Sequence, residues 1–309
     1  MHNYLPFDVP YQKKIRLIIN TDAKNEADDQ FAIVHALLTP RFMIKGIIAA
    51  HFGTERTNES MLESYKECEY VLSLMGDAGK VPVFKGATHA IPDEQTPVMS
   101  EGAELIVREA MSDDPAPLYV IFLGPLTDMA SAYLAEPRIA EKLTCVWIGG
   151  GKYPEGEREF NLMNDIDAAN VVMQSPIELW QVPRTVYPTV RVSLAELALK
   201  VRPYGAIGQY LFQQMIDFND KMADNMRFPR GEAWSLGDSP AVSLLLDAHD
   251  YDWEMRSAPY ITKEMYYVHK PTERKIRVYH DVDSRFTLED MYAKLALFHA
   301  VQQQNQTQY

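Results

Sequence analysis

Ile18-Ile19-Asn20-Thr21-Asp22-Ala23-Lys24-Asn25-Glu26-Ala27-Asp28-Asp29-Gln30 sets four carboxylates within eight residues directly after an apolar run. The run Ile15–Asn20 is rich in β-branched residues and predicts a buried strand. From Asp28 to Leu38 the apolar residues Phe31, Ile33, Val34, Leu37 and Leu38 fall at helical spacing, and Pro40 ends the pattern. A strand that turns into a helix is the first half of a βαβ unit, so this stretch decides the fold. It also poses a chemical problem. Like charges at the end of a buried strand repel one another, and carboxylates kept charged near a core need a partner.

The same alternation runs down the chain. Strand-like segments are expected at Ile44–Ala50, Val81–Phe84, Leu118–Leu123, Cys145–Ile148 and Ile177–Gln181. Helical patterns separate them at Thr57–Met75, Gly102–Met111, from Leu126 onward and at Ala168–Met173. The second half is more helical, with patterns at Tyr204–Asp224, Pro240–Asp247 and Leu288–Val301, and with strand-like runs at Glu264–His269 and Lys275–His280. The expectation is an α/β fold: an open, mostly parallel, Rossmann-like sheet flanked by helices, as one domain over residues 1–309. The polar tail Gln302–Gln308 reads as a frayed end.

Composition narrows the function. The 309 residues carry 43 acidic against 30 basic side chains, a net charge of −13, which argues against a nucleic-acid surface. No 18-residue apolar run suggests a membrane partner. Cys68 and Cys145, in a helix and a strand, read as reduced core residues, so a cytoplasmic location is expected.

Ligands of open parallel sheets sit beyond the carboxyl ends of the strands. Three loops fall there: the acidic stretch, Gly124-Pro125-Leu126-Thr127-Asp128, and Gly149-Gly150-Gly151. A hard cation held by carboxylate and carbonyl oxygens answers the charge problem. An EF-hand does not, because counting from Asp22 puts Ala27 at position six and Ile33 at position twelve. An aspartyl-phosphate enzyme is excluded by Asn20 at the nucleophile position. The glycine run lacks the GxGxxG spacing of a dinucleotide site.

Asn20-Thr21-Asp22 followed by Asp28-Asp29 resembles the Asp-x-Asp-x-x-x-Asp-Asp signature of inosine–uridine-preferring nucleoside hydrolases. The resemblance continues through Leu123-Gly124-Pro125-Leu126-Thr127-Asp128, Trp147-Ile148-Gly149-Gly150-Gly151, Glu159-Phe160-Asn161 and Gly237-Asp238-Ser239-Pro240. It implies Ca²⁺ as cofactor, held by Asp22, Asp29, the Leu123 carbonyl and Asp238, with Asp22 as the base that activates a metal-bound water for attack on a ribosyl C1′. It further implies that Asp28, Glu159 and Asn161 bind the sugar, and that the protein is a homo-oligomer, a dimer or tetramer. The implied activity is hydrolysis of the N-glycosidic bond of a ribonucleoside or related ribosyl compound. The alternatives are a metal-dependent binding protein for sugars or nucleosides, and a hydrolase of a different glycoside.

The chain departs from that pattern in three places. Two extra residues separate Asp22 from the Asp pair, adding Glu26. Gly237 stands where the family has a histidine. The loop after the second strand reads His51-Phe52-Gly53-Thr54 in place of an Asn-rich segment. Asn25 and Glu26 are therefore expected to lean into the sugar pocket, and His51 and Trp234 to approach the substrate. The competing readings are a solvent-facing bulge for the first pair, a packing residue for His51 and a core or lid residue for Trp234. His35 is expected to be structural, Met61, Met75, Met111, Met129 and Met173 to fill the core, and Arg227 and Arg230 to be solvated.

Overall fold

The computed structural model describes residues 4–77, 79–229, 231–247 and 252–307. The first half alternates as expected: β1 (Ile15–Thr21), α1 (Asp29–Leu37), β2 (Phe42–Ala49), α2 (Ser60–Met75), β3 (Val83–Lys85), α3 (Glu101–Ala110), β4 (Leu118–Phe122), α4 (Thr127–Ala135) and β5 (Leu143–Ile148). Next come α5 (Phe160–Asn164), α6 (Ile166–Gln174), β6 (Glu178–Val182), β7 (Arg191–Ser193), α7 (Leu194–Lys200), α8 (Gly205–Lys221) and β8 (Ala233–Ser235). The chain continues through α9 (Pro240–Ser243), β9 (Trp253–Ser257), β10 (Tyr260–Ile261), β11 (Tyr267–Val268), β12 (Lys275–Tyr279) and α10 (Ser284–Thr307).

Eight strands form one sheet in the order β3-β2-β1-β4-β5-β6-β12-β9, parallel throughout except for β9, which runs antiparallel to β12. Helices cover both faces, which is why all seven residues of β1 are buried, the polar Arg16, Asn20 and Thr21 among them. Successive residues still serve opposite sides. Leu17, Ile19, Ile121 and Val146 enter one core, while Ile18, Val120, Phe122, Cys145 and Trp147 enter the other. Cys68 and Cys145 are free and buried.

Local chemistry sets the helix ends. Ser100 Oγ accepts from Ala103 N at 2.9 Å to start α3, and Asp165 Oδ1 caps α6 through Ala168 N. Gly76, at φ +73°, ends α2 in the left-handed region.

Some elements differ from expectation. Glu264–His269 does not join the main sheet; its only strand, β11, pairs with β10 in a small hairpin. The edge strand β9 carries exposed Glu254 and Met255 and shows no apolar run, yet it is fixed by stacking. The Arg277 guanidinium lies 4.1 Å from both the Trp180 and the Trp253 ring centroids, tying β6, β12 and β9 together. α10 begins four residues earlier than the pattern suggested and carries the polar tail in helix to Thr307, so the tail is not frayed over that span. Buried His35 and Lys294 both bind Asp290, Lys294 also reaches Thr39, and α1 and α10 are thereby clamped together. Among the described residues no helix is long and apolar enough to cross a membrane.

The strand order reverses at β1. The chain proceeds outward from β1 to β2 and β3, then returns to the other side of β1 with β4. The crevice between the carboxyl ends of β1 and β4 is the switch point where such sheets take ligands.

Candidate active site

Asp22 leaves the end of β1, Leu123 the end of β4, and both open into one crevice with about 370 Å³ of free space, its mouth included. Its walls include Asn25, Glu26, Asp28 and Asp29 from the loop after β1 and the start of α1. Glu159 and Asn161 come from α5 and its cap, and Asp238 from the turn before α9. Nine of the residues expected at the site thus meet at one place. Ile148, Phe160, Tyr187 and Gly237 complete the lining.

Asp28, Asp29 and Asp238 each offer an oxygen within 4.8 Å of the others, all buried. That trio contains Asp28 and not Asp22, whereas the family resemblance gives Asp22 to the metal. Asp22 comes in from the β1 side, its Oδ2 accepting from Asn25 Nδ2 at 3.1 Å. It sits so close to β4 that a side chain on Gly124 would start 3.0 Å from its Cγ, so any larger residue there would press on Asp22. Thr21 Oγ1 donates to Asp29 Oδ1 at 2.5 Å. Asp28 receives the backbone N–H groups of Gly237, Asp238 and Asp29.

The electrostatics follow from burial and mutual repulsion. Burial, with the charge of Asp28, pushes the Asp29 carboxyl up to about 8, and burial and Asp28 bring Glu26 to about 8. Burial raises Asp28 to about 6 despite the backbone N–H groups that face it. Asp22 and Asp238 are held well above the ordinary range by burial and by the surrounding carboxylates. Asp29 and Asp238 lie side by side, with carboxylate oxygens within 4.8 Å of each other. These groups are arranged to face a cation, and without one their burial and mutual repulsion favour the protonated forms.

The five residues between Asp22 and Asp28 are firmly anchored. Lys24 Nζ meets Glu67 Oε2 at 2.7 Å, and Gln30 Nε2 donates to Ala23 O at 2.5 Å and to Glu67 Oε1 at 3.0 Å. The Tyr210 hydroxyl also donates to Glu67, Gln214 Nε2 holds Ala27 O at 2.7 Å, and Arg56 donates to Asn25 O. Asn25 is buried and Lys24 alone of the five is exposed, so the bulge leans inward.

Asn161 Nδ2 donates to Leu123 O at 2.9 Å and Ile148 O at 2.8 Å. Both amide hydrogens are thereby used, leaving the amide oxygen as what Asn161 offers a ligand. Two expected site residues lie elsewhere. His51 Nδ1 accepts from Gly53 N and its Nε2 meets Thr127 Oγ1 at 2.9 Å, so the ring is neutral with its proton on Nε2. Burial brings its pKa down to about 4, and it fastens the loop after β2 to α4, outside the crevice lining. Trp234 is buried in β8, stacked on Phe228 at 5.9 Å and edge-on to Phe218, because an aromatic cluster under α8 takes its ring. Arg227 is exposed and His89 turns to Ala90 O, while Arg230 lies outside the described residues. Tyr187 was missed because it sits in a turn after β6 with no motif around it.

A parallel sheet whose first and fourth strands deliver carboxylates and a carbonyl to one crevice defines an α/β protein built to hold a small polar ligand at its switch point. The chain belongs to the inosine-uridine preferring nucleoside hydrolase family, whose model matches residues 17–304. An inosine-uridine preferring nucleoside hydrolase of Leishmania major is 29% identical over 182 residues, covering 56% of this chain and 52% of the relative. One from Crithidia fasciculata is 28% identical over 149 residues, 46% of each chain. The chain thus spans about half the length of these curated relatives in alignment. A purine-preferring ribonucleoside hydrolase from Gardnerella vaginalis shares the fold with a TM-score of 0.75 at 18% identity, covering 93% of this chain and 99% of that one.

Proposed function

We propose that the chain hydrolyses the N-glycosidic bond of a ribonucleoside or a related ribosyl compound, with Ca²⁺ as its cofactor. One observation carries the reading: six carboxylates, Asp22, Glu26, Asp28, Asp29, Glu159 and Asp238, line a single crevice at the switch point of the sheet. The donor set fits a hard divalent cation, since it is all oxygen and its buried members repel one another until a positive charge is present. Asp22, Asp29, the Leu123 carbonyl and Asp238 would hold the ion, with Asp28 beside them. Bound there, Ca²⁺ supplies a Lewis acid that lowers the pKa of water at the site.

Asp22 acts as the base, taking a proton from the water that attacks C1′, and Asn25 fixes the plane of its carboxylate. Asp28 accepts from a sugar hydroxyl, and the Asn161 amide oxygen accepts from another. The ring of carboxylates favours the positive charge that develops on the sugar as the bond to the leaving group breaks. A dimeric or tetrameric assembly belongs to the same reading and rests on the family resemblance, while cytoplasmic residence rests on the free, buried Cys68 and Cys145.

A panel of purine and pyrimidine nucleosides, assayed for free reducing sugar with Ca²⁺ and with a chelator, tests the reading. Release of sugar that the chelator abolishes is the expected result. No release from any nucleoside in the presence of Ca²⁺ overturns it, and cation-dependent binding without release would make the chain a sugar-binding protein.

A further inference from the structure

Glu159 has no acceptor site left for a substrate. Its Oε2 accepts from Gly150 N and Leu162 N, both at 2.9 Å. Its Oε1 accepts from Asn161 N at 3.1 Å and from the Tyr187 hydroxyl at 3.0 Å. Two donors on each oxygen occupy the four lone-pair positions of a carboxylate. Three of the four are backbone groups: Asn161 N and Leu162 N make Glu159 the cap of α5, and Gly150 N ties it to the loop after β5. The fourth donor is different. A phenol that gives its one hydrogen to Glu159 keeps its oxygen free to accept, and Tyr187 lines the same crevice as Asp22, Asp28 and Asn161.

The tyrosine ring reaches that place because residue 237 has no side chain. A Cβ built on Gly237 would lie 2.8 Å from Tyr187 Cδ2 and 3.4 Å from Asp28 Oδ2. Position 237 is therefore a notch, and the Tyr187 ring fills it. Burial beside Glu159 and Glu26 keeps the phenol protonated, so it remains a donor to Glu159 across the working range of pH.

We propose that Tyr187 is a specificity-determining residue that reads one hydroxyl of the glycosyl group, accepting from that hydroxyl while donating to Glu159, and that Gly237 is the notch admitting its ring. The inference rests on the glycoside-hydrolase reading of the crevice and names the side chain that recognises the sugar there. Glu159 then acts as a positioning residue behind Tyr187.

The test is Tyr187→Phe, which keeps the ring and removes the hydroxyl. Steady-state kinetics on the best ribonucleoside and on its 2′-, 3′- and 5′-deoxy forms read the effect. The expected result is a KM raised about tenfold on the ribonucleoside, with kcat changed less, as for one lost hydrogen bond. The single deoxy analogue lacking the recognised hydroxyl should show no difference between wild type and variant. A uniform loss on all four substrates would mean that Tyr187 is only structural and would overturn the proposal. Gly237→Ala should erase the same discrimination by displacing the ring, and retained discrimination in that variant removes the notch. Calorimetry with D-ribose in saturating Ca²⁺ separates this inference from the hydrolase reading. If wild type turns over no nucleoside but binds ribose about tenfold more tightly than Tyr187→Phe, the hydrolase reading falls and Tyr187 stands. Equal ribose affinities, or none in wild type, overturn the proposal.

Discussion

Two groups of buried carboxylates lie near the switch point of this sheet, and they are built on opposite principles. Asp128 accepts from Asn20 Nδ2 at 2.8 Å, Ala87 N at 2.9 Å and Ser100 Oγ at 2.6 Å. Asp165 likewise accepts from Ile91 N, Thr127 Oγ1 and Ala168 N. Each ties three separate segments together, and each is surrounded by donors. Asp28, Asp29 and Asp238 instead face one another with Asp22 beside them, and like charge adds to burial in raising Asp22, Asp29 and Asp238. A buried acid satisfied by donors is architecture. One that confronts other acids is waiting for positive charge.

That contrast can be broken most sharply at Asp22. Asp22→Asn should lower turnover on the order of 10²–10⁴-fold, the usual share of a general base, with thermal stability preserved or raised. A matching loss of folding would erase the distinction between the two groups. Asp128→Ala should do the reverse, costing about 3 kcal/mol in urea denaturation because it leaves three buried donors unpaired. A stability change under about 1 kcal/mol would show that water replaces the carboxylate.

The third expectation concerns pH. In the ion-free protein Glu26 and Asp29 hold protons up to about 8 and Asp28 up to about 6, whereas the unfolded chain releases them near the ordinary carboxylate values. Between those limits the unfolded chain binds fewer protons, so stability falls as pH rises from about 5 to 8. Melting temperatures of chelator-stripped protein should show this slope, and Ca²⁺ should flatten it. A slope unchanged by the ion would separate these carboxylates from cation binding. The smallest effect belongs to Asn25→Ala, which removes one hydrogen bond to Asp22 and should cost about 1 kcal/mol in transition-state stabilisation, read as kcat/KM.

How much of this was legible in the sequence depended on distance along the chain. The parallel sheet and the acidic end of β1 could be read because strand, loop and helix are consecutive, and the apolar period changes at Asp28. Asp238 and Leu123 came through resemblance, since nothing in their own neighbourhoods joins them to Asp22. Tyr187 left no trace: its role depends on a missing side chain fifty residues later, at Gly237. Trp234 misled for the converse reason. Its nearness to Asp238 in sequence suggested the substrate, while Phe218 and Phe228 claim its ring in space. β9 escaped because an edge strand held by guanidinium stacking needs no apolar run.

Glu67 gives the extra residues of the acidic loop a different standing from ordinary loop insertions. Loops usually tolerate changes of length because few groups depend on them. Here Lys24 from the bulge, Gln30 from α1 and Tyr210 from α8 converge on a single carboxylate of α2. Shortening the loop by two residues would pull Lys24 away from a carboxylate that also joins α1, α2 and α8. The loop length is therefore heritable only as part of a package: a graft that carries the acidic bulge into another scaffold must bring Glu67 and Tyr210 with it.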